Sequence, residues 1–308
     1  MIRERMGLIV KREDGSEIVN YDNPTFPSYI YDGWIAPKVT WERVPHYHED
    51  IEIVSVKEGK MGYCVNGRTL VLNKGDTIVV NSNQIHYSMC LDDTIAKYVI
   101  FIAHPSILAS SVTVEMEAIR PIIENPDLPY LRFRFINEHT EDLFNLMLGM
   151  PDIRNNAFEV TKRFFLIWDI ILKQSESWGA CNAESESDPG MKSFKSMLHF
   201  ISANYREKIT LEQIAKSGNM SRSSCNNAFN RYVGESPVNY LMHLRSRKVA
   251  EYLREGSYSL TKIAELTGFN GVSYMSETFK KFFGQSPREY KKQWSEPADR
   301  SPDDYMDT

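Results

Sequence analysis

The chain has 308 residues, 42% of them hydrophobic and 25% charged, with a formal net charge of −5 at neutral pH. That length allows two domains with separate cores, and the composition is that of an ordinary globular protein rather than a disordered or fibrous one. Its cysteines (Cys64, Cys90, Cys181 and Cys225) are too scattered for a zinc ribbon or a disulfide framework, no apolar stretch of signal-peptide length precedes Lys11-Arg12-Glu13-Asp14, and no apolar run reaches bilayer length, so a reduced, cytoplasmic protein without a membrane partner is expected.

From about residue 25 to 105 the sequence reads as short strands. Ile51-Glu52-Ile53-Val54-Ser55-Val56 is rich in β-branched residues, and Met61 to Val65 runs into Asn66-Gly67. Asn-Gly between two such runs marks a hairpin, because both central residues of that turn take positive φ. Arg68 to Leu72 returns, Lys74-Gly75-Asp76 turns again, and Thr77 to Val80 follows. Many short strands with Gly and Asn turns argue for a barrel or sandwich. His46-Tyr47-His48, then Glu52 and Gly59, fit the first cupin motif, HxH-x3-E-x6-G. Gly75-Asp76 and His86 fit the second, with Asn81 and Asn83 standing where proline and glycine are expected. Residues 1–136 are therefore read as a cupin-like, effector-sensing β-barrel.

From Asn137 the period changes to helical. Leu143, Met147 and Met150 recur at helical spacing, and so do Phe158, Phe164/Phe165, Trp168 and Ile171/Leu172, with Gly149-Met150-Pro151-Asp152 breaking the two helices apart. The second is apolar around most of its circumference and needs burial on more than one side. Either both helices pack on the barrel or one stripe meets its copy on a second chain; residues 137–174 are read as a helical dimerisation segment, with a second copy of the chain as partner. Residues 175–190 are rich in Ser and Glu and read as a linker, and the acidic 295–308 as a disordered tail.

The remaining stretch repeats itself. Leu211-Glu212-Gln213-Ile214-Ala215 is echoed by Leu260-Thr261-Lys262-Ile263-Ala264, and Gly234-Glu235-Ser236-Pro237 by Gly284-Gln285-Ser286-Pro287. Two tandem units of this kind read as two helix-turn-helix heads. Residues 191–294 carry 17 Lys and Arg against 8 Asp and Glu, so a mildly acidic chain contains a basic third. Such asymmetry points to nucleic acid, whose phosphates supply most of the non-specific affinity. Thr210 with Gln213 predicts a capping box, and Ser259 and Ser221 predict further helix starts. The helix after Ser221 presents Arg222, Ser223, Asn226 and Asn227 on one face, and its counterpart presents Val272, Ser273, Ser276 and Glu277. These are the candidate base readers. Tyr274, Met275 and Phe279 are expected in the core. Arg231, Arg245, Lys280 and Lys281 are assigned to phosphate or structural contacts, which position without specifying.

On these residues the region 191–294 resembles the DNA-binding domain of the AraC/XylS family of bacterial transcription regulators. The most specific stretch is Ile263-Ala264-Glu265-Leu266-Thr267-Gly268-Phe269 followed by Tyr274-Met275-Ser276, Phe279-Lys280-Lys281-Phe282-Phe283-Gly284-Gln285-Ser286-Pro287 and Tyr290. Met275 stands where the family usually has phenylalanine, and Glu277 where a basic residue is common. The resemblance implies an α+β multidomain protein with an all-α, homeodomain-like tandem helix-turn-helix at its C-terminal end. It also implies a regulator, more often an activator, that contacts double-stranded DNA and RNA polymerase and is not an enzyme.

The cupin-like region is also similar to the sensor domains of AraC-family sugar regulators. His46, His48, Glu52 and His86, with Trp34, Tyr31 and Trp41, are the candidate effector-binding residues, and a carbohydrate is the expected ligand. On donor chemistry alone the three histidines and one glutamate also form a set able to hold iron, manganese, nickel or zinc. The resemblance weighs against a metal, and no cofactor is assigned. The alternative reading is a metal-dependent cupin enzyme or metal sensor fused to a DNA-binding domain.

Overall fold

A computed structural model describes residues 10–12, 16–37, 44–92, 94–135, 138–178 and 190–295. The chain divides into two compact units, one holding residues 17–37 and 43–188 and the other built on residues 189–308. Trp41, most of the expected linker (179–189) and all but the first residue of the expected tail (296–308) lie outside the described residues. Among the described residues no helix is long and apolar enough to cross a membrane.

The N-terminal unit is β-rich. Its main strands are β1 (Ser28–Ile35), β2 (Ile51–Glu58), β3 (Lys60–Val65), β4 (Arg68–Asn73), β5 (Thr77–Val80), β6 (His86–Cys90), β7 (Ala96–Ala103) and β8 (Tyr130–Phe133). They form a five-stranded sheet in the order β8-β5-β2-β7-β1 and a three-stranded sheet in the order β4-β3-β6. The β3–β4 turn has φ of 49° at Asn66 and 82° at Gly67, which is the geometry that the Asn-Gly pair predicts. A backbone bridge between His46 and His86 ties the entry to β2 onto β6.

Side chains alternate across a strand, so the register assigns each face of the large sheet. Ile30, Ile51, Ile53, Val99, Phe101 and Ala103 share one face and enter a core with Leu143, Met147, Phe164 and Trp168. Those last four come from helices α1 (Glu138–Leu148) and α3 (Ala157–Trp178), which flank the short α2 (Met150–Ile153). Phe164 meets Phe101 edge-on at 5.1 Å, and Trp168 Nε1 donates to Ala118 O at 3.0 Å. The opposite face carries Glu52, Val54 and Val56 on β2. Tyr29 and Tyr31 on β1 and Tyr98 on β7 share it, because Glu52 pairs with Ile102 and Ile102 with Tyr29. α3 buries Phe164, Ile167, Trp168 and Ile171 but leaves Phe158 76%, Phe165 38% and Leu166 51% exposed. It also runs on to Trp178, past Ser175 where composition suggested the linker begins.

The C-terminal unit is helical: α4 (Gly190–Asn204), α5 (Leu211–Ser217), α6 (Arg222–Val233), α7 (Pro237–Glu255), α8 (Leu260–Leu266), α9 (Val272–Phe283) and α10 (Pro287–Ser295). The helix starts follow from the sequence. Thr210 and Gln213 form the reciprocal capping box, while Ser221, Ser236 and Ser259 accept from the third residue beyond each. Gly234 and Gly284, both with φ of 72°, terminate α6 and α9.

Candidate functional site

Each helix-turn-helix head is built around one phenylalanine. In the first, Phe229 of α6 is fully buried against Phe194 at 4.9 Å and Tyr240 at 5.6 Å. That fixes which side of α6 faces outward. Arg222, Ser223 and Asn227 are exposed there, with Asn226 partly covered and donating from Nδ2 to Arg222 O at 3.0 Å. Arg222 lies 3.8 Å from Glu212, with both side chains mostly in solvent, so the pair restrains the guanidinium little. Arg231 is also exposed, its guanidinium 5.4 Å from the Tyr232 ring.

In the second head Phe279 is fully buried, stacked on Phe283 at 4.4 Å and edge-on to Tyr290 at 5.4 Å. Ser273, Glu277, Lys280 and Lys281 are exposed on α9, with Val272 and Ser276 at the margin. Tyr274 corrects the expectation of a core position: it is 50% exposed, its ring edge-on to Phe269 at 5.9 Å. Met275, Thr278 and Phe279 define the buried stripe, and Tyr274 sits one residue to its side.

Arg245 takes the structural one of the two roles assigned to it. It is only 7% exposed, and it donates from Nε to Tyr205 O and from an Nη to Glu207 O, both at 2.7 Å. Its guanidinium also lies 6.0 Å from the Phe269 ring of the second head. A group already occupied with two backbone carbonyls is a brace between the heads and not a phosphate contact. The same segment meets Gly268 (φ 75°), where an added Cβ would come within 2.5 Å of Arg206 O. His243 of α7 stacks on Phe282 at 4.5 Å and 3°, tying the shared helix to α9.

The N-terminal unit gathers His46, His48, Glu52 and His86, whose ligand atoms all lie within 4.8 Å of one another. Each imidazole has its Nδ1 against a backbone carbonyl: Val44 O at 2.8 Å, Asp50 O at 3.2 Å and Gln84 O at 2.8 Å. A carbonyl only accepts, so Nδ1 carries a hydrogen; Nε2 then offers a lone pair when a ring is neutral and donates when it is protonated. His48 Nε2 and His86 Nε2 lie 3.3 and 3.2 Å from the same Glu52 oxygen, and Tyr63 donates its hydroxyl to the other. Burial penalises the Glu52 charge, but the neighbouring His86, with hydrogen bonds from His48 and His86, outweighs it and holds the carboxyl well below its ordinary range. Burial and repulsion from His86 lower His46 from 6.5 to about 3. For His48 burial works against protonation, and the Glu52 hydrogen bond and charge overcome it, so its pKa is raised. Burial first, then the Glu52 charge, pushes the Tyr63 phenol well above its usual range. Lone pairs directed at a carboxylate call for a proton or a cation between them.

Of the expected aromatic partners, Tyr31 lies on the Glu52 face of the sheet, with Tyr29 stacked at 6.4 Å and Tyr98 edge-on at 6.5 Å. Trp34 pairs with Lys97 and projects from the opposite face, away from the histidines. Sequence reading did not find the role of Tyr63 as the anchor of Glu52, nor Glu17, whose carboxylate is 3.6 Å from His46 Nε2. No local pattern marks either; both are brought in by strand register.

A cupin domain model matches residues 35–102, and a helix-turn-helix domain model matches residues 214–293. The chain is 26% identical over 283 residues to the HTH-type transcriptional regulator YdeC of Bacillus subtilis, covering 90% of this chain and 95% of that one. It is 22% identical over 273 residues to the HTH-type transcriptional activator RhaS of Salmonella schwarzengrund, covering 86% and 94%. Among solved structures, fatty-acid-bound ToxT of Vibrio cholerae aligns over 92% of this chain and 100% of its own, at 14% identity and a TM-score of 0.47. With a cupin domain match preceding a helix-turn-helix domain match, the chain is similar along most of its length to HTH-type transcription regulators, in keeping with the AraC-type resemblance of its sequence.

Proposed function

We propose that the protein is an effector-responsive, sequence-specific activator that works as a homodimer, engages RNA polymerase in the cytoplasm, and reads DNA through Arg222, Ser223, Asn226 and Asn227 of α6 and Val272, Ser273, Ser276 and Glu277 of α9. The observation that carries this reading is the pair of helices whose buried Phe229 and Phe279 turn the opposite face outward at each N-terminal end. A helix fits the B-DNA major groove, where arginine pairs with guanine and asparagine with adenine. Arg231, Lys280 and Lys281 are exposed on the same helices and suited to phosphate. The name of the RhaS relative supports activation. Selection of binding sites from a random duplex pool by the full-length protein tests the reading; recovery of no enriched sequence refutes it.

The effector is assigned to the Glu52 face of the large sheet. Tyr29, Tyr31 and Tyr98 give flat apolar faces beside a carboxylate and imidazoles, a combination suited to stacking and hydrogen bonding a sugar ring. Such a ligand acts only if it binds the DNA-competent state more tightly than the other, by about 1–3 kcal/mol of coupling. Phe158, Phe165 and Leu166, spaced i, i+7 and i+8, give α3 an outward apolar face for the second copy. Light scattering on Phe158→Ser/Leu166→Ser tests this: it should give a monomer, and an unchanged dimer refutes it.

One observation favours a second reading, in which the effector is or includes a divalent metal ion. The convergent Nε2 atoms, the Glu52 carboxylate and the backbone carbonyls that fix each ring fit the donor set and outer shell of a first-row metal. His46, His48, Glu52 and His86 would hold it, and when bound it supplies positive charge beside the aromatic row. A thermal-shift screen of the full-length protein against sugars and divalent metals separates the two readings.

A further inference from the structure

We propose that Glu277 of α9 fixes one base pair of the target as C·G, by accepting a hydrogen bond from the amino group of cytosine in the major groove. The inference rests on the DNA-reading role proposed for α9 and names the base that this helix selects.

The internal repeat places Glu277 where the first head has Asn227. Each stands two positions before the fully buried phenylalanine of its helix, Phe279 or Phe229, and each is exposed, so the two side chains leave their heads in equivalent directions. The heads therefore differ in chemistry at a matched point. An amide both donates and accepts, whereas a carboxylate only accepts.

The fold gives Glu277 no competing partner. A glutamate four residues before a lysine is the favoured order for an ion pair along a helix, and Lys281 stands at that position. Lys281 Nζ instead lies 3.4 Å from Asn239 Oδ1 and 5.6 Å from the centre of the Phe282 ring. Pairs within one helix do form elsewhere in this unit, Lys262 with Glu265 at 2.9 Å and Lys248 with Glu251 at 2.8 Å. Among the described residues Glu277 has no hydrogen bond or ion pair.

An unpaired carboxylate on a surface that meets a polyanion weakens binding unless a donor reaches it. The major groove offers two amino donors, cytosine N4 and adenine N6, and adenine sets its N7 acceptor beside the amino group. Guanine O6 and N7 and thymine O4 are acceptors and repel a carboxylate. Cytosine is the one base that offers a donor with no acceptor beside it, so Glu277 selects by repulsion of the others as well as by attraction.

The test uses the full-length protein. Wild type, Glu277→Gln and Glu277→Ala each select from a random duplex pool, and each is then titrated against the wild-type consensus with every position changed to the other three pairs. Wild type should disfavour those pairs at one C·G position by about 10- to 100-fold. Glu277→Gln, whose amide matches adenine N6 and N7, should move the preference there to A·T. Glu277→Ala should abolish the preference there and bind random duplex more tightly than wild type. Circular dichroism melting identifies a variant that fails to fold, and the other then carries the comparison. Base preferences that are unchanged at every position in a folded variant overturn the role of Glu277 while leaving the DNA-reading role intact. A position that depends on Glu277 but at which wild type prefers A·T overturns the assignment to cytosine. If wild type enriches no sequence, the DNA-reading role itself fails, and the wild-type selection alone reveals that.

Discussion

Replacing Arg245 with methionine separates a brace from a phosphate contact. The native guanidinium makes two hydrogen bonds of 2.7 Å to the carbonyls of Tyr205 and Glu207 and is 7% exposed. Hydrogen bonds from a charged group contribute about 1.5–3 kcal/mol each, and methionine would leave both carbonyls without that donor. It would also remove the cost of keeping a charge out of water, so the net loss should be about 2–4 kcal/mol. For a domain of this size that corresponds to a fall in melting temperature of roughly 10–20 °C. The assay pairs thermal unfolding with DNA-binding anisotropy over a salt series. Arg245→Met should lower the melting temperature and weaken binding at every salt concentration, with the slope of log affinity against log salt unchanged. Lys280→Ala, at an exposed position, should do the reverse, keeping the melting temperature and reducing the slope by about 0.9. An Arg245→Met protein of native stability with a slope reduced by one phosphate would refute the assignment.

The remaining predictions concern separate parts of the molecule. Arg222→Ala or Asn227→Ala should cost about 1–3 kcal/mol at one base pair and relax selection there, measured by binding to an operator mutated one position at a time; equal weakening on all duplexes would contradict base reading. Phe164→Ala empties a fully buried site against Phe101 and should destabilise the N-terminal unit by about 3–5 kcal/mol in denaturant unfolding. Cys225 is fully buried, and burial raises its thiol from 9.0 to about 11. Its peptide should stay unalkylated at pH 8 in the native chain, by mass mapping. The neutral thiol favours the folded state below 9.0, and that contribution should fade as pH rises towards about 11.

What the sequence made legible was whatever is local. The capping box at Thr210, the serine caps and the Asn-Gly turn depend on residues a few positions apart, and the structure repeats them. The spacing of His46, His48 and Glu52 within one strand entry likewise carried over to a cluster. Orientation relative to distant partners was not legible. Charge counts treat Arg245 and Lys280 alike, although one faces carbonyls around 40 positions away and the other faces solvent. Trp34 and Tyr31 are both aromatic residues on β1, yet their odd spacing places them on opposite faces. Tyr274 reads as apolar core by composition but falls just outside the stripe set by Met275 and Phe279.

The close approach at Gly268 has a consequence for the operator. With the turn of the second head pressed onto the carbonyl of Arg206, where no side chain fits, the two heads cannot swivel independently. The molecule is then a ruler of fixed length. Since B-DNA repeats about every 10–10.5 base pairs, inserting about 5 base pairs between the two halves of a target turns the second half to the far side of the duplex. Binding to such a stretched target should drop to that of a single head.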